Sequence, residues 1–206
     1  MNLNKFLLLS AVLIIISNCA VLTIPETEKE RLLSENLTFW NNIRIDGIIA
    51  ANYGNFVFRK NVTIKKNNSV LRLDIYDSGI FGLNPTPFIS AYYDSVLSLR
   101  MLEQDTQEFE RISKNELNLS ILFKLSDLLV FRKEIINDQQ VQSSEFKIKF
   151  SKNMEIIEIS DNKEQFKIKF HYNRTLESIT LYKENRELGN IQIDKITHPI
   201  DSINRF

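Results

Sequence analysis

Phe146-Lys147-Ile148-Lys149-Phe150 recurs, residue for residue, as Phe166-Lys167-Ile168-Lys169-Phe170. Apolar and charged side chains alternate strictly in both copies, which is the period of a β-strand and not of a helix. Phe and Ile then lie on one face, and the lysines lie on the other. An antiparallel sheet with one packed and one wet face accommodates that pattern. Between the copies, Ile156-Ile157-Glu158-Ile159 supplies another strand, and Asp161-Asn162-Lys163 a turn. The two copies are short, so they read as members of a hairpin succession and not as units of a repeat architecture. Their lysines could meet lipid headgroups, but a solvated sheet face is the simpler reading.

The same periodicity extends in both directions. Towards the C-terminus, Ser178 to Tyr182 and Ile191 to Ile196 are strands. Towards the N-terminus, strands are expected at Ile43 to Ile48, at Phe56 to Lys66, and at Val70 to Tyr76. In the last of these Leu71, Leu73 and Ile75 face one way. Asn67-Asn68-Ser69 is a hairpin turn. Phe88 to Tyr93 and Ser95 to Leu102 form a further hairpin about Asp94. Gly79, Gly82, Pro85 and Pro87 make 77–87 a loop. Two stretches change period. Pro25 followed by Glu26, Glu28 and Glu30 opens a helix, and Leu32, Leu33, Leu37 and Trp40 line one side of it. Leu117, Ile121, Leu122, Leu125, Leu128 and Leu129 form a second helical stripe within 117–132. The expected fold class is therefore α+β, mainly β. About nine or ten antiparallel strands form an incomplete antiparallel β-barrel, a curved sheet with helices covering the open mouth.

Composition narrows the function classes. Acidic and basic residues balance at 26 each, so nucleic acid is not an expected partner. Five glycines and four prolines leave little material for linkers. The single cysteine, Cys19, excludes an intrachain disulfide and a thiolate metal cluster. His171 and His198 lack a metal-ligand spacing, so no metal and no cofactor are expected. No nucleophile elbow or phosphate-cradling glycine loop is present, so no catalytic residue is assigned and the protein is expected not to be an enzyme. Asp74 and Asp77 are read as solvated carboxylates.

The N-terminus carries a targeting pattern. Lys5 precedes the apolar run from Phe6 to Ile16, and Ser17-Asn18-Cys19-Ala20 breaks it. The run is short for a membrane span and has the layout of an export signal. The expected boundaries are 1–18 signal peptide, 19–24 tether and 25–206 a single domain. Removing 18 residues from 206 leaves 188, enough for one domain with a core. An ordinary cleaved signal with a stray cysteine near the cut is the alternative. Leu13 to Cys19 resembles a bacterial lipoprotein signal, with Ile16 and Ser17 at the matching positions and Asn18 departing from the usual small residue. The resemblance implies that Cys19 is the lipid attachment site. With the non-acidic Ala20 after it, it implies retention at the outer membrane.

The order of elements resembles the lipoprotein-localisation family of LolB and its periplasmic relative LolA. Phe39-Trp40 with Ile45-Asp46-Gly47 is similar to that family's opening helix and glycine-bearing first strand. The centre at Leu71 to Leu83, the helix at Leu117 to Val130 and the closing strands at Phe166 to Ile196 are similar as well. The resemblance implies a half-open barrel whose interior holds acyl chains, anchored on the periplasmic face of the outer membrane. It implies a lipid or lipoprotein ligand and a periplasmic carrier protein as partners. It places a membrane-contact loop at Ile80, Phe81 and Leu83, although those side chains could equally fold back to plug the barrel. Trp40, Phe56, Phe58, Leu71, Leu73, Phe88, Leu122 and Leu125 are the acyl-chain cavity or core candidates. The expected role is binding lipid or lipoprotein acyl chains and assisting lipoprotein insertion. The alternative is a structural or assembly lipoprotein that grips a protein partner with the same scaffold.

Overall fold

The computed structural model describes residues 24–53, 56–68, 70–77, 86–94, 96–101, 107–109, 125–144, 146–161, 165–200 and 203–204. Helix α1 spans Glu26–Asn41. Strands β1 to β6 follow at Asn42–Tyr53, Phe56–Asn67, Val70–Tyr76, Pro87–Tyr93, Leu97–Met101 and Gln107–Phe109. A 3-10 helix, Leu125–Phe131, runs into α2 at Arg132–Asp138. Strands β7 to β12 then occupy Gln140–Gln142, Phe146–Phe150, Ile156–Asp161, Phe166–Asn173, Thr175–Lys183 and Arg186–Thr197.

Among the described residues the twelve strands form one sheet in the order β6-β5-β4-β3-β2-β1-β12-β11-β10-β9-β8-β7. Every strand except β1 and β12 pairs only with its neighbours in sequence, and all pairings are antiparallel. The protein is thus α+β, mainly β. Its single large sheet ends at β6 and β7 and does not close into a barrel.

The two FKIKF copies become β8 and β10, on either side of β9. Ile148, Ile159 and Ile168 stand in one cross-strand row. Ile148 is fully buried, while Lys149 on the opposite face pairs with Glu158 at 2.8 Å. Through Leu181, Gly189 and Ala51 the same face continues to Phe58 on β2. Helix α1 lies on this face. Leu33, Leu37 and Trp40 recur at helical spacing and join Ile43, Ile45, Phe150, Ile156, Phe170 and Leu176 in one buried cluster. Leu125 and Leu128 of the 3-10 helix and Ile135 of α2 complete it.

Helix α1 starts as expected. Pro25 precedes it, and its carbonyl accepts the Glu28 and Lys29 amides at 3.1 and 3.0 Å. It passes into β1 without a loop. The stripe expected over 117–132 is only partly described: Leu117, Ile121 and Leu122 lie outside the described residues. The remainder is a 3-10 turn followed by α2, and Leu129 is exposed rather than buried. The sheet has more strands than the sequence suggests, because β6 and β7 are three residues each and too short to display a period. The β11–β12 hairpin turns at Glu184-Asn185, both with positive φ. That is the backbone of a two-residue turn, formed here without glycine.

Gly47 is required by close approach. β1 shifts register against β12 between Asp46 and Gly47. A Cβ at Gly47 would stand 2.2 Å from the Gln192 carbonyl oxygen. Gly189, on the same pair of strands, would place its Cβ 3.1 Å from the Ala50 carbonyl, which a small shift relieves. Gly47→Ala is expected to cost about 1–3 kcal/mol in urea unfolding. Gly189→Ala should cost clearly less; equal losses would show that the bulge does not need a bare Cα.

Candidate functional site

The inner face of β1 to β5 is a lattice of three rows. One runs Ile43, Lys66, Leu71, Tyr93, Leu97. The next runs Ile45, Ile64, Leu73, Ala91, Leu99. The third runs Gly47, Val62, Ile75, Ile89, Met101. All but Gly47 and Lys66 are apolar or aromatic. Burial falls along each row. Ile43, Ile45 and Val62 are fully covered, Leu71, Leu73, Ala91, Leu97 and Leu99 are half-buried, and Met101 is 52 % exposed. Helix α1 covers the β1 end of this face, and the β3–β5 end keeps apolar surface open. Half-exposed side chains on a continuous apolar sheet face leave area that a ligand can remove from water.

The residues singled out from sequence divide accordingly. Trp40 and Leu125 lie in the packed cluster. The Trp40 ring meets Phe170 edge-on at 5.2 Å and Phe39 at 5.9 Å. Leu71 and Leu73 belong to the open part of the lattice. Phe58 is half-buried on the same face. Phe88 is half-buried, with the Lys60 ammonium 5.7 Å from its ring centroid. The Phe56 side chain, Leu122, Ile80, Phe81, Leu83 and Cys19 lie outside the described residues, as do 1–18 and most of the tether. Leu97, Leu99 and Met101 were not singled out. Their alternation within 95–102 marks them, and only the pairing of β5 with β4 brings them beside Leu71 and Leu73.

The outer face of the same strands is polar, and two of its carboxylates are tied into the sheet. Asp46, Thr63, Asp74, Ser90 and Arg100 form one cross-strand row. Arg44 Nε donates to Asp46 Oδ2 at 2.8 Å, and Thr63 Oγ1 donates to Asp46 Oδ1 at 2.7 Å. Burial alone would raise the Asp46 carboxyl, but these two donors hold it below the ordinary carboxylate value. Arg72 Nε donates to Asp74 Oδ2 at 2.8 Å, and Ser90 Oγ donates to Asp74 Oδ1 at 2.6 Å. Arg72 also donates to the Asn204 carbonyl at 2.8 Å, so the chain end lies against this face. Asp74 is only 2 % exposed, contrary to the solvated role its alternating pattern suggests. Sequence alternation gives the face of a residue but not what covers that face.

Lys66 is the charged member of these three rows. It is buried where α1 meets β1, and its ammonium donates to the Asn68 carbonyl at 2.7 Å and Asn41 Oδ1 at 3.3 Å. Desolvation lowers its pKa to about 8. The end of α1 otherwise has no basic residue in its last turn. In the packed half, burial and then Glu155 push the Tyr172 hydroxyl above the ordinary tyrosine range. The Trp40 indole opposes that shift without reaching hydrogen-bond geometry, so Tyr172 Oη is left without a partner.

A depression of about 220 Å³ is lined by Ile48, Arg59, Lys60, Asn61 and Tyr76. Its lining is largely polar and does not suit a hydrocarbon tail. Among the described residues no cluster of three or more His, Cys, Asp or Glu could hold a metal ion. No described helix is long and apolar enough to cross a membrane. His198 contacts the Asn42 carbonyl and packs against Phe39 at 5.4 Å, a role in joining the chain end to β1. No protein-family model matches the chain, and no curated protein matches it in sequence.

Two outcomes follow for the buried polar groups. Asp74→Ala leaves Ser90 without its acceptor and removes the carboxylate facing Arg72, which keeps the Asn204 carbonyl, and is expected to cost about 1–3 kcal/mol by denaturant unfolding. A loss below about 1 kcal/mol would place this pair with weak surface bridges. For Lys66, the folded chain releases its proton near pH 8 and the unfolded chain near 10.4, so between these the unfolded state binds more protons. Stability contributed by this site therefore rises from pH 8 to 10. The rise should be missing in Lys66→Met, measured by unfolding midpoints across that range.

Proposed function

We infer that this is a non-enzymatic, lipid-anchored protein of the LolB/LolA type, held on the periplasmic face of the outer membrane through Cys19. It binds an acyl chain of a lipid or lipoprotein and assists lipoprotein insertion. The sheet acts as an incomplete barrel, with α1 and the 3-10/α2 segment covering part of its mouth. The observation that carries this reading is the burial gradient on the inner face. The helices fill the face over β1 and β8–β11, while Leu71, Leu73, Leu97, Leu99 and Met101 form an apolar floor that they do not fully cover.

The chemistry of that floor suits a hydrocarbon. Each methylene withdrawn from water contributes about 0.8 kcal/mol, so a long acyl chain needs no polar recognition group to bind. In sequence, Ile80, Phe81 and Leu83 belong to the segment joining β3 to β4, and they are the membrane-contact residues of this reading. A periplasmic carrier would deliver the ligand at the open side.

The test is a fluorescent fatty-acid titration of the full chain carrying Cys19→Ser. Saturable binding is expected, and Leu99→Glu, at a half-exposed position, should weaken it about tenfold or more, equivalent to about 1.4 kcal/mol. Absence of saturable binding would favour a protein-gripping scaffold. Binding unaltered by Leu99→Glu would move the ligand off this face.

A further inference from the structure

Leu129, Val130 and Phe131 end the 3-10 helix and are 42 %, 83 % and 38 % exposed. They are three of the five large apolar side chains found exposed among the described residues, and they are consecutive. The geometry of the turn explains why Leu129 and Val130 project, while Phe131, in line with Leu125 and Leu128, stays partly open at the end of the turn. With three residues per turn, Leu125 and Leu128 fall on one side and are buried against α1. Leu129 and Val130 fall on the other two sides, and both of those point outward. Burying Leu125 and Leu128 therefore does not require the rest to be apolar; polar residues at 129 and 130 would serve the fold as well. The core does not account for the tip.

We propose that Leu129-Val130-Phe131 is a membrane-inserting tip whose occupant is a lipid surface. Two observations favour lipid over a protein groove. The first is shape. The apolar groups project from two sides of a narrow turn, and fluid acyl chains can surround such a tip where one protein face cannot. The second is position. Lys29 Nζ donates to the Ile136 carbonyl at 3.2 Å, and Arg132 reaches Glu30 at 3.9 Å, so the tip is fastened beside the first turns of α1. The chain enters α1 from residues 1–23, which carry the apolar run Phe6 to Ile16 and Cys19. Cys19 is five residues ahead of Ile24, a span of at most roughly 18 Å. The proposal rests on the reading that these residues hold the protein at a bilayer, since that bilayer then lies within reach of the tip.

The flanking charges define the depth. Arg132 and Lys133 are exposed directly after the tip and can extend their heads to the lipid surface while their stems lie lower. With Lys29, Arg132 and Lys133 positive and Glu30, Asp127 and Glu134 negative, the charges around the tip balance at three each, so anionic lipid is not required.

The experiment uses the full chain with Cys19→Ser, Val130→Cys and an N-terminal histidine tag held by nickel-chelating lipid, which makes position 130 the sole thiol and replaces the tether that Cys19 would supply. It is labelled with an environment-sensitive fluorophore and reconstituted in phosphatidylcholine vesicles containing lipid-borne quenchers. A blue shift with strong quenching is expected at 130, and neither is expected for a label at Glu184→Cys in the β11–β12 turn. Equal, water-like emission at both positions overturns the proposal, and so does equal quenching at both. A blue shift without vesicles that grows with protein concentration also overturns it, because a second copy would then cover the tip. Mass spectrometry of Cys19 in the native chain tests the anchor separately. A shifted label with an unmodified Cys19 leaves the tip standing without the anchor, and an acylated Cys19 with a water-exposed label does the reverse.

Discussion

Strand β1 is the constraint on which the sheet depends. Strands β1 to β6 form one run of hairpins, and β7 to β12 form another. Within each run the pairing is local and needs only short turns. The two runs become one sheet only where Arg44 to Ala51 pair with Gly189 to Thr197. Those partners are about 140–150 residues apart in sequence, so this pairing bears the largest loop-closure cost in the molecule. Strand β1 meets that cost with more than its ladder. Ile43 and Ile45 are buried under α1, Gly47 allows β12 to approach, and Asn42 receives the Ile200 amide at 2.7 Å. Lys66 and the Asn68 amide both bind Asn41, which locks the helix end to the β2–β3 turn.

The two sides of β1 then serve different ends. On the β12 side, helices and sheet bury Leu33, Trp40, Ile148, Phe150, Met154 and Phe170 in a dense cluster. On the β2 side the arrangement is partly inverted. Apolar residues of β3 to β5 stay half-open, while Asp74, Ser90, Tyr92 and Ser98 on the opposite face are buried. Open apolar surface lowers stability, and a buried ion pair adds little net stability against a hydrophobic substitute. The packed half therefore provides the fold's stability, and the β2–β5 half can keep a face available for binding.

Much of the architecture was legible because alternation is a local signal. The FKIKF copies, Leu71-Arg72-Leu73-Asp74-Ile75 and the Leu33/Leu37/Trp40 stripe each gave the right element and the right inward face. Two kinds of information were not local. Very short strands show no period, so β6 and β7 were missed. Burial on the outer face depends on what crosses it, so the burial of Asp74 could not be read from β3 alone. The candidate site lay between these cases. Leu71 and Leu73 were visible, but Leu97, Leu99 and Met101 join them only through the register of β4 and β5.

The ion pairs of the outer face bear on the inner one. An apolar strand face that is not fully packed has weak register specificity, because side-chain interlocking is what resists slippage. Strands β2 to β5 have that weakness on their inner side. On the outer side Asp46 bridges β1 and β2 through Thr63, and Asp74 bridges β3 and β4 through Ser90. A one-residue slip would carry both carboxylates, together with Arg44 and Arg72 on the same strands, to the apolar face and away from Thr63 and Ser90. That cost is far larger than the loss of a few half-buried contacts. Polar groups on one face thus hold the register that allows the other to remain open.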